Sequence, residues 1–257
     1  MTPLRHVRAT RYAVPLREGG SMPGLVEADD LGMYVVKMRG AGQGLPVLVA
    51  EVLVGEMGRA LGVAVPELVE VDLSGEIARF EADEEVQDLL TASVGLNLGM
   101  DYLPGAFGYD GSQPADAEVA ALVLWLDACT ANVDRTWANP NLLRWGGQVW
   151  AIDHGAALWF HHAWARKAPS ADRFAAQPFD ASTHVLRDLA GDLGEVHERA
   201  CAVLTRQRLT EIVDLVPDEW LTPGEHLPTT QAIRDEYVRH LVQRLASPDA
   251  WLPGASR

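Results

Sequence analysis

The stretch from Asn132 to Gly155 reads NVDRTWANPNLLRWGGQVWAIDHG, and it places several polar residues around a short β-hairpin. A largely apolar run from Ala120 to Ala131, AALVLWLDACTA, precedes it, and a buried helix is predicted from Ala115 to Ala131. Gly146 and Gly147 predict a tight turn between two short strands. The pattern is therefore a helix, a polar loop, a hairpin and an acidic residue, Asp153, at the end of the hairpin.

The loop and the hairpin carry oxygen ligands of the kind that hard divalent cations prefer. Mg²⁺ is usually held by one or two carboxylates together with the phosphates of a substrate. In protein kinases an Asp lies five residues before a metal-binding Asn, and a second metal-binding Asp follows a hairpin. Asn139 lies five residues after Asp134, and Asp153 takes the later position. Asp and Asn also form ordinary turns, so a purely structural role is the alternative.

The segments NVDR, NPNLL and VWAIDHG resemble the HipA-like kinases, particularly their short, free-standing branch, and more distantly the phosphatidylinositol 3- and 4-kinases. The similarity extends from about Gly19 to about Leu245. It is most specific from Tyr34 to Glu67 and from Asn132 to Gly155. It implies a protein-kinase-like bilobal fold of the α+β class, with nucleotide in the cleft between the lobes. The small β-rich N-lobe is expected over residues 1–104 and the mainly helical C-lobe over residues 105–257.

Two features depart from the kinase pattern. Arg135 follows Asp134, whereas ordinary protein kinases have the order His-Arg-Asp. Asn141 competes with Asn139 as the metal ligand, and only the five-residue spacing favours Asn139.

An acid inside the apolar helix, Asp127, could anchor the loop by accepting N–H bonds or could equally be solvated.

The resemblance implies that the N-lobe binds the phosphates of the donor. A glycine-rich turn, REGGSMP, lies between predicted strands, so Gly19, Gly20 and Ser21 are expected to approach phosphate. The glycine pair also fits an ordinary hairpin turn. Lys37 lies inside the apolar strand MYVVKM and is expected to hold the phosphates, because such a strand buries a lysine only toward a partner.

Three further residues of the N-lobe are candidates for the nucleotide site. A helix is predicted from Val47 to Leu61, and in the kinase pattern a glutamate of this helix orients the strand lysine. Glu51 is the favoured residue and Glu56 is its competitor. Asp101 and Tyr102 are expected near the adenine, because they lie in the connector between the lobes.

The remaining elements are predicted from periodicity and turn residues. Strands are expected at residues 63–71 and 77–80, a helix or acidic loop at 80–92, helices at 186–204, 207–215 and 230–245, and a tail at 249–257. The adjacent His161 and His162 would point about 100° apart on a helix, which argues against a shared zinc ion.

Composition excludes some partners. Of 257 residues, 21 are Lys or Arg and 36 are Asp or Glu, which gives a net charge of −15 and a pI near 4.8. Nucleic acid and anionic membranes are therefore not expected as partners. No apolar run reaches the roughly 18 residues of a membrane span, and no signal-peptide core is evident, so a cytoplasmic protein is the simplest interpretation.

The predicted reaction is transfer of the γ-phosphoryl group of ATP, with Mg²⁺, to a hydroxyl group, with Ser or Thr of a protein favoured. Asp134 would orient the hydroxyl and accept its proton, while Asp153 and Asn139 or Asn141 would hold the metal. One alternative is a small-molecule or lipid kinase. Another is a nucleotide-binding pseudokinase or interaction module, although no motif residue is clearly missing. The sequence predicts neither the substrate nor the oligomeric state.

Overall fold

The computed structural model describes residues 2–16, 23–42, 44–79 and 81–254. The chain divides into two compact units, Met1–Leu48 with Pro66–Pro104, and Val49–Val65 with Gly105–Arg257. Most of the helix that follows the strand carrying Lys37 thus belongs to the second unit. The division of the chain into lobes at residues 1–104 and 105–257 remains a prediction. The predicted phosphate turn with Gly19, Gly20 and Ser21 lies outside the described residues.

The first unit is built on a closed barrel of five strands. These are β1 (Arg5–Pro15), β2 (Gly24–Ala28), β3 (Met33–Lys37), β4 (Leu68–Leu73) and β5 (Gly95–Asp101), in the order β1-β2-β3-β5-β4. β1 and β4 pair in parallel, and the other neighbours are antiparallel. Alternation along β3 places Tyr34 and Val36 in the core of the barrel, so the side chain of Lys37 belongs to the other face.

Two helices pack on this barrel, α2 (Gly75–Ala78) and α3 (Glu84–Ala92). The predicted strand at residues 77–80 is wrong, because residues 75–78 form one helical turn that buries Ala78 in the barrel core. The strand predicted from residue 63 begins only at Leu68. Of the helix or acidic loop expected at residues 80–92, residues 84–92 form the helix α3, and the carboxylate of Asp83 caps it by accepting from two main-chain N–H groups.

Helix α1 (Leu45–Ala60) agrees with the predicted range and is buried over most of its length. The chain turns away from the helix at Gly62, which has φ +89°, a conformation that glycine adopts without strain. The chain after it contacts the hairpin of the second unit, since Ala151 donates its N–H to the carbonyl of Ala64 at 2.8 Å.

The centre of the second unit is helix α4 (Ala117–Thr130), and its last eight residues are all buried. The second unit also contains a three-stranded sheet, with β6 (Phe107–Gly108), which precedes α4, and β7 (Leu142–Trp145) and β8 (Gln148–Ala151), which follow it, in the order β6-β7-β8. Gly146 and Gly147 both have positive φ, as the predicted two-residue turn between β7 and β8 requires.

The rest of the second unit is helical. Its helices are α5 (Ala171–Ala175), α6 (Leu193–Val203), α7 (Arg206–Val213), α8 (Thr230–Leu245) and α9 (Pro248–Trp251), with 3₁₀ turns at Trp159–Ala163 and Asp218–Trp220. The helix predicted from residue 186 begins only at Leu193, where the carboxylate of Asp192 caps its first turn. The predicted tail starts with α9, whose Trp251 is buried and donates to the carbonyl of Arg244 at 2.7 Å.

Among the described residues, no helix combines the length and the apolar character that crossing a membrane requires.

Candidate active site

The polar loop, residues 131–141, begins where α4 ends. Ala131 adopts a left-handed conformation with φ 56°, which turns the chain out of the helix. Asn132 fixes this turn, because its main-chain N–H donates to the carbonyl of Asp127 at 2.8 Å and its side-chain amide donates to the Asp127 carboxylate at 2.9 Å. The Asn132 side-chain oxygen then accepts from the main-chain N–H of Asp134 at 3.2 Å, so Asp134 is positioned directly from the helix end.

A buried ion pair lies beneath this loop. The Arg135 guanidinium donates to the Asp127 carboxylate at 2.5 Å, and neither side chain is exposed. His184 Nε2 lies 3.0 Å from the same carboxylate. Burial alone would raise the pKa of Asp127, but Arg135 and His184 outweigh it and lower the pKa to about 2. Asp127 is therefore an ionised anchor of the loop that accepts N–H bonds, and it is not a solvated residue.

Arg135 also ties the polar loop to the hairpin. Its guanidinium donates to the main-chain carbonyl of Asn141 and to that of Ile152, the latter at 3.2 Å. It further lies 3.3 Å from Nδ1 of His154. One cation thus connects α4, the polar loop and the residues on either side of Asp153. The position that departs from the kinase sequence pattern is the centre of this network.

The loop brings three predicted residues together at the carboxylate of Asp134. The side-chain amide of Asn139 donates to Asp134 Oδ2 at 3.0 Å. The amide of Asn141 donates to the main-chain carbonyl of Asp134 at 2.8 Å and lies 3.5 Å from Oδ2. Both amides face acceptors, so each presents its NH₂ group to Asp134 and keeps its carbonyl oxygen for another partner.

Asp153 follows β8 directly and has φ 55°, a left-handed conformation that few residues other than glycine adopt. Such a conformation is sterically unfavourable for most side chains, and Asp and Asn tolerate it best because their short polar side chains can hydrogen-bond locally. The ladder between β7 and β8 continues one pair further, because Ile152 donates its N–H to the carbonyl of Asn141 at 3.1 Å. Asn141 and Asp153 therefore lie at the same end of the hairpin.

The first unit holds three of the predicted donor-side residues, Lys37, Asp101 and Tyr102. Lys37 pairs with Leu98 across β3 and β5, and it is only 8% exposed. Asp101 pairs with Tyr34 on the same ladder, roughly 10 Å along the strand from Lys37 at about 3.3 Å per residue. The main-chain N–H groups of Asp101 and Tyr102 donate to carbonyls of the same unit at 2.8 and 3.0 Å, so an adenine contact there would need other groups.

The two candidate glutamates of α1 differ in their surroundings. Glu56 forms an ion pair with Arg59 at 3.2 Å, one helical turn away. Glu51 is fully buried. Since a carboxylate is rarely buried without a specific role, Glu51 remains the favoured candidate, and its support of Lys37 stays a prediction.

A metal could also be held by a cluster of His, Cys, Asp or Glu side chains. Within residues 2–16, 23–42, 44–79 and 81–254, no group of three or more such residues is arranged to hold a metal. His161 contacts the hydroxyl of Tyr237 at 2.9 Å, and its ring is nearly perpendicular to that of His162. Burial lowers the pKa of His161 well below its usual value, so this histidine is a neutral part of an aromatic core.

Sequence reasoning missed His184. It lies 57 residues from Asp127 along the chain, and no local pattern marks it. The fold brings it close through a short antiparallel bridge between His184 and Thr136, together with a 3.1 Å hydrogen bond from the N–H of Val185 to the carbonyl of Arg135.

A β-barrel followed by a helix, a polar loop, a hairpin and a helical body defines a protein-kinase-like α+β fold. A crystal structure of a Helicobacter pylori proinflammatory kinase, CtkA, superposes with a TM-score of 0.55 at 11% identity, covering 91% of this chain and 90% of that chain. Two structures of the Golgi casein kinase, one with Mn and ADP bound, give TM-scores of 0.48 and 0.47. The first is 13% identical in sequence, and the match covers 95% of this chain and 73% of that chain. The second is 12% identical, and the match covers 97% of this chain and 74% of that chain.

The family follows from the sequence itself. A sequence model described as HipA-like kinase matches residues 12–253, so the chain belongs to the HipA-like kinase family and is a phosphotransferase. The predicted family and fold class are confirmed. A search of curated proteins finds no match.

Proposed function

We propose that this protein transfers the γ-phosphoryl group of ATP, with Mg²⁺, to the hydroxyl of a Ser or Thr residue in a protein. One observation carries the proposal. The carboxylate of Asp134 is contacted by the amides of Asn139 and Asn141, on a loop that the buried pair of Asp127 and Arg135 holds in place. That arrangement suits phosphoryl transfer, in which positioning and electrostatics supply most of the catalysis.

Asp134 is the proposed base. It accepts the proton of the acceptor hydroxyl while the hydroxyl oxygen bonds to the γ-phosphorus, and the bond from that phosphorus to the bridging oxygen breaks to release ADP. The loop fixes its main chain through Asn132, so the carboxylate needs little reorganisation. Asp134 is only partly buried, and Val133 before it and Trp137 three residues after it are exposed, which suits a large acceptor that approaches from solvent.

The donor atoms at the end of the hairpin fit a hard divalent cation. Asp153 offers a carboxylate and Asn141 an amide oxygen, and phosphate oxygens normally complete such a site. The five-residue spacing favours Asn139, but the hairpin favours Asn141, because its main chain pairs with Ile152 directly before Asp153. We therefore propose Asp153 and Asn141 as the metal ligands. When bound, Mg²⁺ would neutralise charge that develops on the transferred phosphoryl group.

Lys37 is the proposed phosphate-binding cation of the first unit, with Glu51 as its supporting acid. The burial of Lys37 within an apolar strand supports this role, because an ammonium group is unfavourable there without anionic partners. Gly19, Gly20 and Ser21 stay predicted phosphate contacts. The chain retains a candidate for the lysine, the base and the metal ligands, and this disfavours a pseudokinase.

The test replaces Asp153 with Asn, which keeps the shape of the side chain and tolerates the left-handed conformation as well as Asp does. We expect Asp153→Asn to fold normally, to lose phosphotransfer, and to lose most of the rise in melting temperature that Mg²⁺ with ATP gives the parent protein. Lys37→Ala is expected to weaken ATP binding, whereas Asp134→Asn is not. A variant Asp153→Asn with full activity and a full Mg²⁺-dependent melting shift would reduce Asp153 to a turn residue. A parent protein with neither phosphate transfer from ATP nor that melting shift would contradict the proposed function.

A further inference from the structure

Two large apolar side chains flank the proposed base on the surface of the polar loop. Val133 is 68% exposed and Trp137 is 59% exposed, and they lie one residue before and three residues after Asp134. Isolated exposed apolar residues are common, but two beside a reactive carboxylate form a local surface that can contact whatever reaches it.

Trp137 is held in place rather than free in solvent. Its ring stacks on that of the buried Tyr109, with 6.3 Å between centroids and an angle of 25° between the planes. Tyr109 is itself fixed, since its main-chain N–H donates to the carbonyl of Leu142 at 2.9 Å. Gly111 lets the indole lie against the main chain, because a Cβ at this position would come within 2.9 Å of the ring. An exposed indole that is already ordered can contact a ligand with little further loss of conformational entropy.

The charge around Asp134 limits the kind of group that this surface accepts. Between Val133 and Asn141 the sequence has one basic residue, Arg135, which is 1% exposed and paired with Asp127. The polar loop therefore presents no exposed cation to an acidic acceptor, and the whole chain carries a net charge of −15. Acidic residues next to the acceptor hydroxyl would be repelled, whereas apolar residues would be retained.

Building on the proposed kinase function, we propose that Trp137 and Val133 form the acceptor-binding surface and determine specificity. They select a Ser or Thr hydroxyl whose neighbouring residues are aromatic or large aliphatic, and they discriminate against acidic neighbours. Trp137 and Val133 contact the acceptor and take no part in the transfer of the proton or the phosphoryl group.

The experiment uses the full chain with Mg²⁺ and ATP and a positional library of Ser and Thr peptides. Each position around the hydroxyl is fixed in turn as aromatic, aliphatic, acidic or basic. We expect phosphorylation to be highest with an aromatic or aliphatic residue near the hydroxyl and lowest with an acidic one. For the preferred peptide, Trp137→Ala should raise KM about tenfold or more, with a smaller change in kcat, and Trp137→Phe should restore most of the affinity.

The aliphatic position has a matched control. Val133→Ala should raise KM for the same peptide, whereas Val203→Ala should not. Val203 is also an exposed valine, but it is the last residue of α6 and has no place in the proposed site. The rise in melting temperature with Mg²⁺ and ATP should survive in all these variants, since none belongs to the proposed donor site.

The outcomes separate this inference from the function on which it rests. Peptides phosphorylated without an apolar preference, or with KM unchanged in Trp137→Ala, would contradict the specificity proposal alone. A parent protein that binds Mg²⁺ with ATP but phosphorylates no peptide in the library would contradict the specificity proposal and also the Ser or Thr acceptor of the proposed function. Absence of both the Mg²⁺-ATP melting shift and any transfer of phosphate from ATP would contradict the proposed function itself.

Discussion

The polar loop has two sides that obey different physical rules. On its inner side, Arg135 and Asp127 form an ion pair with no exposed atoms in either side chain, supported by His184. On its outer side, Val133 and Trp137 are apolar and largely exposed. The ordinary distribution of residues is thus reversed, with charge inside and apolar surface outside.

This difference separates support from recognition. A buried ion pair is stable only while both partners remain, so the inner side holds the loop in one conformation. An exposed indole gains from burial only when another molecule covers it, so the outer side is free to bind. Asp134 lies between the two sides. The inner side fixes its position, and the outer side, as proposed, binds its acceptor.

The largest expected effect concerns Asp134 itself. Replacing Asp134 with Asn should lower kcat by about 10²–10⁴, because the amide cannot accept the hydroxyl proton. Stability and ATP binding should change little, since the loop is held from its inner side. Single-turnover phosphotransfer, together with denaturant unfolding, measures both quantities. A large loss of stability in this variant would show that Asp134 supports the loop and would break the division between the two sides.

The inner side is tested by removing the buried acid. Asp127→Ala should destabilise the fold by about 3–5 kcal/mol, because Arg135 is then left charged and buried without its partner. The matched control is Glu118→Ala, which removes an exposed pair with Arg199 and should cost only about 0–1 kcal/mol. Equal effects in urea unfolding would mean that burial of the inner pair has no special consequence.

The same pair predicts a dependence of stability on pH. The pKa of Asp127 is lowered to about 2 in the folded protein, so its contribution is complete above about pH 4 and is lost as the pH falls toward 2. A shift of nearly two pKa units corresponds to about 2 kcal/mol. The stability difference between the parent protein and Asp127→Asn should therefore shrink by about this amount between pH 6 and pH 2. A stability difference that stays constant over this pH range would show that the charge of Asp127 does not anchor the loop.

The smallest effect separates two neighbouring amides. Asn141→Ala should raise the Mg²⁺ concentration needed for half-maximal activity by at least about tenfold, because Asn141 is the proposed ligand beside Asp153. Asn139→Ala should change it less, since Asn139 is exposed and its side-chain amide donates to the Asp134 carboxylate. A higher Mg²⁺ requirement only in Asn139→Ala would favour the assignment that sequence spacing makes.

Local patterns predicted those parts of the fold whose cause is local. The turn at Gly146 and Gly147 and helix α8 agree with their predictions, because turn residues and periodicity act over a few positions. The errors fall where a short apolar segment suits two structures. Residues 77 and 78 belong to the predicted strand at 77–80, but packing on the barrel makes them part of a helical turn.

The sequence alone determined the family, the fold class and the candidates Lys37, Asp134 and Asp153, because these depend on residue type and spacing. Only the tertiary structure decided that Asp127 is an anchor rather than a solvated acid, that His184 belongs with it, and that Asn141 lies beside the end of the hairpin. The reason is physical. Burial, ion pairing and register depend on which distant segments pack together, and no short stretch of the chain contains that information.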